Sequence, residues 1–130
     1  MILVDTSVWI DFLRGTESAE ADRLADALRA DEKLCTCGII CAELLQGVRS
    51  DREYRSLRRT LRTLTYLPLE QEGHVLAADL YRRVRQTGRT VRNTTDCIIA
   101  ACALIHDVPL LQRDRDFAVI ASVSNLRLLD

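Results

Sequence analysis

The chain lacks the segments that carry proteins into or across a membrane. None of its apolar runs approaches the roughly 18 residues that a transmembrane helix needs. Its first residues have no basic stretch leading into an apolar one, and 1–4 is instead typical of a β-strand. We therefore expect no signal peptide, no membrane partner and a cytoplasmic location.

Cysteine is present, but in a pattern that favours neither disulfides nor zinc. The chain has five cysteines, an odd number, and all of them lie in apolar segments. This favours reduced thiols that pack as small apolar side chains. The nearest approach to a zinc motif is Cys35, Cys37 and His74, whose spacing matches no common zinc arrangement.

Lysine is almost absent, since Lys33 is the single lysine among 18 basic residues. The arginines are concentrated in segments 49–62 and 82–93, and the second of these has no acidic residue. A planar guanidinium suits phosphate recognition, so a nucleic acid is a candidate partner despite the net charge of −1. The alternative is that both segments are solvated faces without a partner.

The order of the apolar segments predicts one α/β domain over residues 1–130. Strands are predicted at 1–4, 34–37, 66–69, 109–112 and 126–129, and helices at 7–13, 19–30, 39–48, 51–64, 72–86, 96–106 and 117–121. Such alternation predicts a central parallel sheet of about four to five strands, flanked by helices on both faces. Pro68 favours an edge or a bulge for the third strand.

Four acidic residues stand at the ends of apolar runs or within them. Asp5 follows Ile2-Leu-Val4, Asp114 comes soon after a predicted strand, Asp96 opens a predicted helix, and Glu43 lies in an apolar helix. The carboxyl ends of parallel strands share one edge of the sheet, so all four side chains are expected there. Carboxylates are rarely gathered without a partner, which predicts a Mg²⁺ or Mn²⁺ site.

Each acid also has a simpler interpretation. Asp5 could cap the first helix, Asp96 could be a first-turn charge after a Thr94 or Thr95 cap, and Asp114 could form a turn. Glu43 has no capping role, and its simpler interpretation is a solvated outer face of its helix. Asp116 is an auxiliary metal ligand or another cap.

Substrate contacts are predicted close to these acids. Thr6 is next to Asp5, and Arg89, Arg92 and Asn93 come shortly before Asp96. Aromatic residues are few, so the sequence does not indicate a stacking surface for RNA bases. Structured and messenger RNAs satisfy the same electrostatics, and the target is left open.

Four motifs in this order resemble those of the PIN-domain ribonucleases, and specifically the VapC-type toxins. They are Ile2-Leu-Val-Asp-Thr-Ser-Val-Trp-Ile-Asp-Phe-Leu13, Cys41-Ala-Glu-Leu-Leu-Gln-Gly47, Asp96-Cys-Ile-Ile-Ala-Ala-Cys-Ala103 and Leu110-Leu-Gln-Arg-Asp-Arg-Asp-Phe117. Together they extend over nearly the whole chain.

The resemblance implies a PIN-like fold and a Mg²⁺- or Mn²⁺-dependent endoribonuclease that leaves a 5′-phosphate and a 3′-hydroxyl. It places Asp5, Glu43, Asp96 and Asp114 on the catalytic, metal-binding acids of the family, with Asp116 as a frequent addition. It further implies RNA as the substrate, a homodimer, a cognate antitoxin as partner, and possible larger toxin–antitoxin assemblies.

Other functions remain open at this point. A non-catalytic module that binds RNA or an antitoxin, with a structural metal ion, would account for the same acids. Haloacid dehalogenase-type phosphatases also begin with a strand ending in Asp, but they need an acid where Ser7 stands and a lysine late in the chain. A response-regulator receiver is disfavoured for the same reason, because it also needs a lysine late in the chain.

Overall fold

The fold is built on a five-stranded sheet in which every strand pair is parallel. The computed structural model describes residues 1–129. The strands are β1 (Ile2–Val4), β2 (Leu34–Thr36), β3 (Thr65–Tyr66), β4 (Leu110–Leu111) and β5 (Leu128–Leu129). The helices are α1 (Thr6–Arg14), α2 (Ala19–Arg29), α3 (Gly38–Gly47), α4 (Asp51–Arg62), α5 (Gln71–Gln86), α6 (Thr94–Ile105) and α7 (Arg115–Ala121). The α/β architecture predicted from the sequence is confirmed.

The sheet has the order β3-β2-β1-β4-β5, so the first strand of the chain is the central one. Leu3 pairs with Cys35 on one side and with Leu110 on the other. All three residues of β1 are buried. This explains why β1 is apolar throughout and does not alternate apolar and polar residues as a half-exposed strand does. This central position points the end of β1 into the middle of the carboxyl edge.

Several helices begin at capping side chains that lie directly after a strand or loop. Asp5 caps α1 by accepting a hydrogen bond from the backbone N–H of Ser7, and Asp114 caps α7 in the same way through Asp116. Asn93 caps α6 by accepting from the backbone N–H of Thr95. Such caps satisfy the free N–H groups of the first helical turn.

The structure corrects some predicted boundaries. Helix α6 begins at Thr94 with Asn93 as its cap, so the predicted Thr94 or Thr95 cap is wrong and Asp96 lies within the first turn. Strand β3 is an edge strand, as Pro68 predicted, but it covers 65–66 rather than 66–69. After Leu67 donates to the Thr36 carbonyl, Pro68 has no N–H with which to extend the ladder.

The core lies between the sheet and the helices that flank it. Its largest fully buried side chains include Trp9 on α1 and Phe117 on α7. The five cysteines are free thiols and four of them are buried, as their apolar context predicts. Within residues 1–129, no helix combines the length and apolarity that a membrane span requires.

Candidate metal centre

Five acidic side chains line one cleft at the carboxyl edge of the sheet, with a volume of about 390 Å³. The end of β1 delivers Asp5, and the loop after β4 delivers Asp114. The first turn of α6 supplies Asp96, and the first turn of α7 supplies Asp116. Glu43 reaches the cleft from the middle of α3. Acids up to 111 positions apart in the sequence thus share one site, because parallel strands bring their ends together.

Asp5 is held in place by its neighbours. Its Oδ2 accepts hydrogen bonds from the Ser7 backbone N–H at 3.1 Å and from the Ser7 hydroxyl at 2.5 Å. The residue is only 4% exposed. Capping and a position in the cleft are therefore compatible, because the cap uses one carboxylate oxygen and leaves the other for the site.

Glu43 is positioned by a contact across the cleft. The Thr6 hydroxyl donates to Glu43 Oε1 at 2.8 Å, which ties α3 to the start of α1. Thr6 is itself buried. The sequence predicted that Thr6 contacts the substrate; in this structure its hydroxyl is directed at an acid of the cleft.

The tightest acidic group is Asp96, Asp114 and Asp116. Each offers one carboxylate oxygen, and these three atoms all lie within 4.8 Å of one another. Asp116 is 5% exposed and is the most buried of the three. Asp116 is therefore part of the close acidic group, whereas the sequence predicted it only as an auxiliary ligand or a cap.

Arg92 forms ion pairs with two of these acids. Its Nη2 donates to Asp114 Oδ1 at 2.7 Å, and its Nε donates to Asp116 Oδ2 at 3.0 Å. The backbone N–H of Arg92 also donates to Asp116 Oδ2 at 3.1 Å. The guanidinium side chain is 62% exposed, so it covers the acids from the solvent side.

The other predicted substrate residues have different positions. Asn93 lines the cleft, but its side chain is occupied as the cap of α6. Arg89 is not among the residues that line the cleft; its guanidinium donates to the hydroxyls of Ser122 and Thr87. Ser7 and Thr95 also line the cleft. The sequence signal for Ser7 was its position in the pair of hydroxyl residues that follows Asp5.

Two acids of the cleft, Asp96 and Asp5, have raised pKa values, chiefly because they are buried. Burial, and after it repulsion from Asp114 and Asp5, raises the pKa of Asp96 from its ordinary value of 3.8 to about 7. Burial also raises the pKa of Asp5, against the hydrogen bonds from Ser7 that lower it. The negative charge in this cleft is therefore only partly compensated by the protein.

We expect the metal-free protein to lose stability as the pH rises from about 4 to about 7. The unfolded chain releases the Asp96 proton near 3.8, whereas the folded protein keeps it to about 7. Between these values the folded state binds more protons, so raising the pH favours unfolding. Because Asp96 is partly exposed, we expect a loss of about 1–2 kcal/mol.

Urea unfolding at several pH values in EDTA measures this loss. The Asp96→Asn variant has no proton to release at this position, so its stability should depend less on pH than that of the parent. Equal pH dependence in the two proteins would contradict the expectation.

The side chains of the cleft fit a hard divalent cation. All the candidate ligands are carboxylate oxygens, which Mg²⁺ and Mn²⁺ prefer to the nitrogen and sulfur ligands of zinc. The three close carboxylates can share one ion, and a positive charge would relieve the repulsion that raises the pKa of Asp96.

Known proteins similar to this chain include ribonucleases. The family model described as PIN domain matches residues 2–123. The VapC ribonuclease Mb1587 of Mycobacterium bovis is 36% identical over 129 residues, which cover 98% of this chain and 96% of that relative.

Solved structures with the same fold come from toxin–antitoxin complexes. A chain of VapBC2 from Rickettsia felis, bound to a DNA fragment from their promoter, matches with a TM-score of 0.76 and 19% identity, over 99% of this chain and 98% of that one. A chain of a toxin–antitoxin complex from Klebsiella pneumoniae matches with a TM-score of 0.74 and 23% identity, over 100% and 97% of the two chains. At such identities the likeness shows the fold alone.

Proposed function

This chain belongs to the PIN-domain family, and on that premise we propose that it is a divalent-cation-dependent endoribonuclease and the toxin of a toxin–antitoxin pair. The observation that carries the proposal is the cleft in which five carboxylates from distant parts of the chain converge. The relative named as a ribonuclease, which aligns along almost the whole chain, supports the same activity.

Asp5, Glu43, Asp96 and Asp114 are the proposed catalytic, metal-binding residues, and Asp116 is a fifth candidate ligand. A bound Mg²⁺ or Mn²⁺ supplies charge neutralisation and an activated water for phosphodiester hydrolysis, which leaves a 5′-phosphate and a 3′-hydroxyl. Asp96, Asp114 and Asp116 would hold the cation through oxygen atoms that are already clustered.

Neighbouring groups position these acids. Ser7 orients Asp5, and Thr6 orients Glu43 through its hydroxyl. Arg92 lies at the solvent side of the acids, where its guanidinium can meet the phosphate of an incoming RNA. Asn93 and Arg89 are weaker candidates for substrate contact, because Asn93 caps α6 with its side chain and Arg89 does not line the cleft.

The proposal includes a cognate antitoxin, a homodimer and possible larger assemblies of the two proteins. The toxin–antitoxin complexes among the structural neighbours support an antitoxin partner. The free cysteines favour a reducing compartment, so we include cytoplasmic localisation in the proposal. We also propose that residues 1–130 are one domain.

We expect purified, antitoxin-free protein to cut a pool of total RNA into discrete fragments with Mg²⁺ or Mn²⁺, and to leave it intact in EDTA. The acids repel one another without a cation, and EDTA removes the cation that would supply charge neutralisation and an activated water. Sequencing the new 5′ ends identifies the target and tests for a 5′-phosphate.

The same assay separates the two functions that the acids support. A folded protein that binds Mn²⁺ but cleaves none of the RNA would contradict the nuclease and favour a binding module with a structural ion. Asp79→Asn is a suitable control, because it removes an exposed acid from α5, outside the cleft.

A further inference from the structure

A second cavity, of about 480 Å³, shares a wall with the acidic cleft. It lies where the end of α1, the end of α3 and the start of α4 meet, and we call it the flanking cavity. Ile10 and Glu43 line both spaces. An RNA strand whose scissile phosphate lies against the acids would therefore enter the flanking cavity with its next nucleotide.

Two arginines without ion-pair partners line the flanking cavity. Arg14 is in the last turn of α1, just before Gly15 ends that helix in the left-handed conformation. Arg49 lies in the short loop between α3 and α4. Both are exposed, and within residues 1–129 neither forms an ion pair, whereas Arg92 and Arg113 near the cleft do. Their guanidinium groups are available for an external anion.

The rest of the cavity wall suits a nucleoside better than a second phosphate. Leu13 and Val48 provide apolar surface, and Glu53 provides a carboxylate. A carboxylate repels phosphate but accepts hydrogen bonds from the amino groups of bases. A cavity of this volume is within the range of small-ligand sites and can hold one nucleotide.

We propose that the flanking cavity binds the RNA nucleotide next to the scissile phosphate. Arg14 and Arg49 bind its backbone phosphate, the apolar wall contacts its base or sugar, and Glu53 accepts from an amino group of the base. This inference rests on the proposed ribonuclease activity. In this arrangement the two arginines position the RNA strand through its phosphate, and Glu53 selects the base, because phosphate contacts carry no sequence information.

The phosphate contacts are tested by binding of a fluorescent, mixed-sequence single-stranded RNA. Asp96→Asn serves as the background in which RNA should stay uncut. Adding Arg14→Ala and Arg49→Ala should weaken binding by roughly tenfold and lower the slope of log affinity against log salt by roughly 1.4. Arg29→Ala removes one positive charge from α2, outside the cavity, and should change neither value.

The base contact is tested by cleavage. Glu53→Gln keeps the size of the side chain, and Gln is also suited to this position in the first turn of a helix. It should change the base preference next to the cleavage site, read from the sequenced 5′ ends of the fragments. An unchanged preference would overturn the role of Glu53.

The outcomes distinguish this inference from the function on which it rests. If the parent cleaves RNA while Arg14→Ala and Arg49→Ala leave RNA binding by the Asp96→Asn protein unchanged, the flanking cavity is not a nucleotide site and the nuclease stands. If the parent cleaves no RNA under any metal condition, the proposed function itself fails, and the inference fails with it.

Discussion

Asp96→Asn should reduce RNA cleavage by roughly 10³-fold, equivalent to about 4 kcal/mol of lost transition-state stabilisation. Asp96 is sensitive to the charge of the whole cleft, because burial and then repulsion from four other acids raise its pKa to about 7. An amide cannot supply the negative charge that holds a divalent cation beside those acids. We expect the loss in kcat, measured with saturating Mn²⁺ and a defined RNA substrate.

The same substitution should leave the metal-free fold intact or slightly more stable. At neutral pH the charged form of Asp96 is disfavoured by burial and by its acidic neighbours. Replacing it with a neutral isostere removes that cost, so we expect the melting temperature in EDTA to stay equal or rise by roughly 3 °C. A large fall in melting temperature would mean that Asp96 is a structural residue. Asp79→Asn should alter neither activity nor stability.

The position of the main acids could be predicted from the sequence because it follows from topology. A residue directly after a buried parallel strand lies at the carboxyl edge of the sheet, which places Asp5 and Asp114 without knowledge of the rest. Asp96 was placed by the expectation that helix N-termini lie beside the strand ends, and its position in the first turn of α6 agrees with this although α6 follows α5 rather than a strand. The placement of Glu43 depended on the absence of another explanation for an acid within an apolar helix.

The relations among the side chains could not be predicted in the same way. Arg92 pairs with acids 22 and 24 residues later in the chain, and such contacts depend on how two loops approach in space. Asp116 looked like a cap for α7, yet Asp114 is that cap and Asp116 is buried against Arg92. The lengths of β3 and β5 likewise depend on how far each edge strand pairs with its one neighbour. A strand of two residues is too short to show a clear sequence pattern.

Arg92 has a consequence for metal binding, because its guanidinium is bound to two of the acids that would hold the cation. A cation that binds Asp114 and Asp116 must compete with this internal positive charge. The Arg92→Ala variant should therefore bind Mn²⁺ about tenfold more tightly than the parent. The backbone N–H of Arg92 remains as a donor to Asp116, so the position of that carboxylate should persist.

Isothermal titration with Mn²⁺, without RNA, measures this effect independently of catalysis. The difference between variant and parent should shrink as the salt concentration rises, because the guanidinium is exposed and its charge is screened. RNA cleavage should fall despite the tighter metal binding, since a phosphate contact is lost with the side chain. Arg29→Ala, which removes a distant arginine, should leave Mn²⁺ affinity unchanged. Weaker Mn²⁺ binding by Arg92→Ala would show instead that Arg92 organises the acids for the metal rather than competing with it.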